Sequence, residues 1–203
     1  MSEKAVEVND SVSFGDVLKK AIHLGGTLLI ITAVTGLILG IVQNFTEQAI
    51  KQTEIAARNL AFQNVMPDGK NFSDYDVKEN EFVQSVYKAE NDSGLAGWCM
   101  SVNSKGYGGI VNFIVGVTKD GQVKAINILS HSETPGLGAR STEPEFYEQF
   151  NNKSSFPLKV VKGEAANPDE IAAISGATIT STAVTNGVNA AVEYWQTNLK
   201  GVE

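Results

Sequence analysis

From Ala21 to Thr46 the chain runs for 26 residues without a formally charged side chain, and the run includes Leu28-Leu29-Ile30-Ile31. A tilted helix of that length crosses about 30 Å of hydrocarbon. No other stretch limits the fold so strongly, because a backbone inside lipid has to satisfy its own hydrogen bonds. A cleaved signal peptide would have a shorter apolar core and a small-residue cleavage site. Here the apolar run passes through Gln43-Asn44-Phe45 into further helix formers. The reading is a single N-terminal transmembrane helix. Lys19 and Lys20 abut its first end, while Lys51 and Arg58 stand further from its second. The positive-inside rule then places the N-terminus in the cytoplasm and the main domain outside the cell (inner) membrane, as a single-pass protein. Gly36 and Gly40, in a Gly-x-x-x-Gly spacing, would let a partner helix pack closely.

The remaining chain divides by pattern. Residues 1–20 form a polar cytoplasmic tail, 21–46 the transmembrane helix, 47–95 a helical stalk and the first part of an outer domain, and 96–203 the main outer domain. The stalk ends at the turn signal Pro67-Asp68-Gly69. Residues Asn71 to Ser93 are charged and irregular, with Glu81 to Ala89 as the best strand candidate. Trp98 to Val102 and Ile110 to Val117 read as strands. The turn Lys119-Asp120-Gly121-Gln122 then returns the chain as a further strand, Val123 to Leu129. Gly106-Tyr107-Gly108-Gly109 reads as a glycine turn at a strand start, since no Lys-Ser/Thr or helix follows it as in a phosphate loop. Phe146, Tyr147 and Phe150 read as packing residues of a short helix. The expected fold class is α+β, an antiparallel sheet with flanking helices behind one membrane anchor.

Composition narrows the chemistry. A formal net charge of −7 with no basic run argues against a nucleic-acid partner. Cys99 is the only cysteine, which rules out an intrachain disulfide, a Cys-x-x-Cys pair and a cysteine zinc site. The two histidines, His23 and His131, argue against a protein-ligated haem or zinc. Redox chemistry in such a chain falls to an organic cofactor. Cys99, beside Trp98 in a strand-like run, reads as a small buried apolar residue.

Two stretches offer chemistry. Ser175-Gly176-Ala177-Thr178-Ile179-Thr180-Ser181 precedes the helical spacing Val184, Val188, Ala191, Val192 and Trp195, in a pattern that runs to about Lys200. Gly176 and Ala177 leave little bulk beside Thr178, and a helix N-terminus welcomes an anion, phosphate above all. The alternative is that Ser175, Thr178 or Thr180 caps this helix. The second stretch, Ser130 to Arg140, leaves the end of a buried strand. In it Pro135-Gly136 would set a tight turn, Leu137 could cover the face of a flat ring, and His131 and Glu133 could meet its polar edge. An ordinary turn with a solvated Glu and a capping His fits the same residues.

Taken together, His131-Ser-Glu-Thr-Pro-Gly-Leu-Gly138 and Ser175-Gly-Ala-Thr-Ile-Thr-Ser181, behind Gly106-Tyr-Gly-Gly109 and a membrane helix, resemble the FMN-binding domain of the Rnf complex's G subunit. That complex is the ion-translocating ferredoxin:NAD oxidoreductase. The resemblance covers roughly Trp98 to the C-terminus plus the anchor. It implies FMN esterified through its phosphate to Thr178 by a separate flavin transferase that uses FAD. Ser175, Gly176, Ala177 and Thr180 would surround the ester, while His131, Glu133, Thr134, Leu137 and Gly138 would contact the flavin. It further implies an electron-transfer component working beside membrane, iron–sulfur and flavin proteins of the complex that move Na⁺ or H⁺, rather than a chain with complete activity of its own. In the family an aspartate often stands where this chain has Ala172, with Asp169 and Glu170 nearby. The C subunit of the sodium-pumping NADH:quinone reductase shares both motifs, usually on a longer chain, and is one alternative. A flavin-free membrane-anchored binding or scaffold module is another, and a reductase acting alone on a soluble acceptor is a third.

Overall fold

The structure is a computed structural model that describes residues 14–78 and 80–202, in two compact units, Met1–Thr53 and Glu54–Glu203. Residues 1–13 of the expected tail lie outside the described residues. Helix α1 runs from Phe14 to Val65, 52 residues, and among the described residues no residue of its apolar part, Leu18–Gln43, is buried. An apolar helix with no protein partner on any face is what lipid solvates and water does not. Thr27, Thr32, Thr35 and Thr46 bond back to their own helix, with Thr27 donating to the His23 carbonyl at 2.8 Å and Thr46 to the Val42 carbonyl at 2.8 Å. Each hydroxyl is thereby satisfied within the helix, without help from solvent.

In the second unit five strands form an antiparallel meander in chain order: β1 (Asn71–Tyr75), β2 (Val83–Asn91), β3 (Gly94–Lys105), β4 (Ile110–Thr118) and β5 (Val123–Ser130). The charged stretch before Ser93 thus supplies two strands of the sheet. β1 gave no sequence signal because it is an edge strand whose five residues are exposed or half-buried without a regular alternation. The 95/96 division falls within β3, so residues on both sides of it share one sheet.

Strand alternation sends side chains to two cores. On one face Trp98, Met100 and Val102 of β3 and Val111, Phe113, Val115 and Val117 of β4 pack under helix α3 (Thr178–Tyr194). That helix contributes Val184, Val188, Ala191 and Val192, the stripe its sequence spacing marks, and Trp195 follows in a terminal π-helical turn. Val83 and Val86 of β2 reach the same face three residues apart because the β2–β3 register shifts between Val83 and Ser85. On the other face the end of α1 lays Ala61, Phe62, Val65 and Met66 against Tyr87, Ala89, Cys99 and Ile114. Each such large apolar side chain contributes about 1.5–3 kcal/mol when fully buried. Here the approach is close. A Cβ on Gly116 would collide with the Val65 carbonyl, and one on Gly97 would meet the Val117 carbonyl and lie 2.7 Å from Met66 Cε.

Cys99 is fully buried in the second core, and that burial pushes its thiol up to about 12. Arg58 donates to the Tyr87 hydroxyl at 2.9 Å and lies over the Tyr87 ring, 5.1 Å from its centroid, fastening the last turns of α1 to β2. After β5 the chain makes a 3-10 turn at Gly138–Thr142 and the short helix α2 (Pro144–Tyr147). Phe146 and Phe150 are buried there, as expected of packing residues. A parallel pair, β6 (Lys159–Val161) and β7 (Glu170–Ala172), then delivers the chain to the start of α3.

Candidate functional site

Helix α3 begins at Thr178, and no side chain caps it. Its N-cap position is Ala177, so the capping reading of Ser175, Thr178 and Thr180 is not what the chain does. Ser181 stabilises the entry instead: its Oγ accepts the Ile174 N–H at 3.0 Å and donates to the Ala177 carbonyl at 3.0 Å. Among the described residues no hydrogen bond engages the Thr178 hydroxyl, and Thr178 is exposed. The N–H groups of the first helical turn have no intrahelical acceptor. None of that turn's own residues is acidic.

Two residues on, Thr180 faces inward and is 1 % exposed. Its hydroxyl donates to Glu133 Oε2 at 2.6 Å, the short distance typical of a hydroxyl on a carboxylate. The other carboxylate oxygen, Oε1, accepts the Gly108 N–H at 2.9 Å. Glu133 is itself only 6 % exposed. One buried carboxylate therefore ties three segments distant in sequence: the glycine turn before β4, the loop after β5 and the first turn of α3. The space around it is small. A Cβ on Gly106 would collide with Oε1, and one on Gly138 would lie 2.6 Å from Thr180 Oγ1 and 2.9 Å from Glu133 Cβ. Glycine at 106 and 138 is the condition for Glu133 to be there.

The loop itself is built as its sequence suggests. The Leu137 N–H bonds the Thr134 carbonyl at 3.1 Å with Gly136 at φ +75°, which is the geometry of a type II turn with Pro135 leading. His131 Nδ1 accepts the Glu133 N–H at 3.2 Å, so the imidazole braces the loop from within. Leu137 projects over Gly176, whose absent Cβ would lie 3.0 Å from Leu137 Cδ2. Gly176 has φ +77°, a conformation open to glycine at little cost.

These pieces border an open cavity of about 620 Å³ lined by Glu133, Thr134, Leu137, Gly138, Gly176, Ala177, Thr178 and Thr180, together with Tyr107 and Ile179. Eight of the ten residues marked in the sequence meet there. Ser175 does not: it is exposed and lines a separate hollow of about 180 Å³ beside Arg140 and Gln149. His131 supports the loop without lining the cavity. Tyr107 and Ile179, missed in the sequence, are 72 % and 56 % exposed. Ile179 could have been found as a helix residue on the opposite face from Val184 and Val188. A second cavity of about 680 Å³ lies on the other side of Thr178 and Ile179, against Phe82, Ser104, Lys105 and Ile110.

The charged side chains of Arg140, Asp169 and Glu170 are each paired with other groups. The Arg140 guanidinium is held in its charged form by its hydrogen bond to Glu143 at 2.9 Å and, more weakly, by Glu145. Glu170 is held below the usual carboxylate range first by the Asn167 side chain and then by the Ala166 N–H, and Asp169 by its hydrogen bond to Lys159. Neither acid turns toward α3 to replace the aspartate that Ala172 lacks. The Ala172 backbone is gripped instead by Gln149, whose Oε1 accepts its N–H at 2.7 Å and whose Nε2 donates to its carbonyl at 3.3 Å.

Comparison with known proteins places this geometry. The FMN-binding domain family matches residues 106–193, which contain the glycine turn, the loop and α3 up to Glu193. The chain is 36% identical to the G subunit of the proton-translocating ferredoxin:NAD(+) oxidoreductase complex of Clostridium ljungdahlii, over 82% of this chain and 86% of that protein. It belongs to the Rnf G-subunit family. Another member, the G subunit of the Na(+)-translocating ferredoxin:NAD(+) oxidoreductase complex of Acetobacterium woodii, is 32% identical over 88% of this chain and 93% of its own. The crystal structure of the C subunit of the Na(+)-translocating NADH-quinone reductase from Parabacteroides distasonis superposes with a TM-score of 0.50 at 22% identity, covering 63% of this chain and 76% of that one, and shows a shared fold.

An FMN fits what this member of the Rnf G-subunit family presents. The cavity is within the range of about 300–1,000 Å³ that small-molecule sites occupy. It joins an apolar wall at Leu137 and Ile179 to an unengaged hydroxyl at a helix N-terminus. These are the two chemistries that a flavin with a phosphate tail demands.

Proposed function

We propose that the chain is the FMN-bearing electron carrier of an Rnf-type membrane complex, with the FMN phosphate esterified to Thr178. The observation that carries the ester is the exposed Thr178 hydroxyl, free of hydrogen bonds among the described residues, at the first position of a 17-residue helix and on the wall of the cavity. The surrounding N–H groups and dipole favour the phosphate. Gly176 and Ala177 keep the approach clear. A link through the phosphate leaves the ring remote from the bond, so its potential is set by the walls around it. FMN, when bound, supplies one- and two-electron transfer.

The tether keeps the cofactor at high local concentration, which matters where a dissociated FMN would be diluted away. Lys19 and Lys20 at the first end of the apolar run support an N-terminus in the cytoplasm and a domain outside it, where a flavin transferase would act. The relatives are named as components of ferredoxin:NAD(+) oxidoreductase complexes that move H⁺ or Na⁺. Ferredoxin and NAD are then the business of other proteins in the complex, and this chain relays electrons between redox centres.

The test is in-gel flavin fluorescence after full denaturation, comparing the native chain with Thr178→Ala, each coexpressed with a flavin transferase. The expected result is a fluorescent band for the native chain and none for the variant. Equal bands would move the attachment elsewhere, and two dark lanes would favour a scaffold or a loosely held flavin.

A further inference from the structure

Resting on the FMN reading above, the geometry assigns Tyr107 as a flavin contact, a wall of the ring site supplied from outside the two long motifs. The turn Gly106–Gly109 carries one side chain. Gly106 has no room for a Cβ beside Glu133, Gly108 has none beside the Ser132 carbonyl, and Gly109 has φ +153°. The turn is closed by the Gly106 N–H on the Gly109 carbonyl at 2.8 Å and pinned to the site by Gly108 on Glu133. A backbone so fixed presents Tyr107 in a defined direction.

That direction is the cavity. Tyr107 lines it together with Leu137 and Ile179, yet remains 72 % exposed. A single exposed aromatic is ordinary on a protein surface. Here three large side chains from three separate segments surround one hollow and stay exposed, Tyr107 by 72 %, Ile179 by 56 % and Leu137 by 43 %, which is the mark of a binding site rather than a core. Tyrosine suits the position, since its ring can lie on an isoalloxazine while the hydroxyl stays in water. Leu137, over Gly176, supplies apolar cover from the opposite loop.

Tyr107 is the only aromatic residue among those lining the cavity, and Trp98 and Trp195 are buried in the core. This makes the assignment measurable. A phenol in contact with an excited isoalloxazine gives it an electron and takes it back, so emission is lost with no net redox change.

The experiment uses the full chain coexpressed with a flavin transferase, and compares flavin emission before and after denaturation for the native chain, Tyr107→Leu and Tyr107→Trp. The native chain is expected to brighten on denaturation. Tyr107→Leu, which keeps apolar bulk, should emit several-fold more than the native chain while folded and equally once denatured, and should be more readily quenched by iodide. Tyr107→Trp should stay dark. Folded Tyr107→Leu as dark as the native chain, at equal denatured emission, overturns the contact and leaves the Thr178 ester standing. Absence of flavin from the denatured native chain overturns both.

Discussion

Glu133 shows how a residue's role changes between sequence and structure. In the sequence it was a candidate for the polar edge of the flavin or a solvated loop acid. At 6 % exposure it is not a solvated acid, and both carboxylate oxygens are taken, by Gly108 N–H and Thr180 hydroxyl. It works first as a strut. Glu133→Ala would leave two donors unpartnered, and urea unfolding of the detergent-solubilised protein is expected to show a loss of about 3 kcal/mol. Glu133→Gln can still accept from Gly108 and donate to Thr180, so about 1 kcal/mol is the expected loss there. If Glu133→Ala left stability unchanged, the strut assignment would be wrong. The same residue explains what the sequence could not show. Thr178, Leu137 and the turn at Pro135 were legible because local chemistry marks them. Tyr107 was not, because its place in the site depends on a contact between positions 108 and 133 that no local pattern encodes.

At the level of elements, periodicity revealed the strands β2 to β5 and the buried stripe of α3, since each has one strongly apolar face. Edge strand β1 and the short strand β7 were obscure because five-residue and three-residue strands with exposed positions carry little alternation. The close seat of α1 on the sheet was equally hidden. It depends on Gly116, where the Val65 carbonyl occupies the space a side chain would need. Gly116→Ala must push helix and strand apart, and the expected cost is about 1–3 kcal/mol from overpacking. Thermal or urea unfolding measures it. The control is an exposed glycine in open space such as Gly36, which sits in the apolar part of α1 with nothing within 4 Å. Gly36→Ala should leave unfolding of the Glu54–Glu203 unit unchanged.

For the whole molecule, the apolar run of α1 dictates where the protein is found. With no residue of Leu18–Gln43 buried among the described residues, the protein is expected to stay with membranes through high salt and alkaline carbonate and to be released by detergent. Release by carbonate alone would contradict a spanning helix. The relatives are named as G subunits of ion-translocating oxidoreductase complexes, and this chain belongs to their family. Its thiol chemistry is quiet. The only thiol is Cys99, sealed between α1 and the sheet and pushed to about 12, while maleimides and spin labels react with thiolates that solvent can reach. A cysteine placed at will on the surface would therefore be the sole labelled position, so distances from the flavin to chosen points, and to neighbouring proteins of the complex, can be read without first stripping the native sequence.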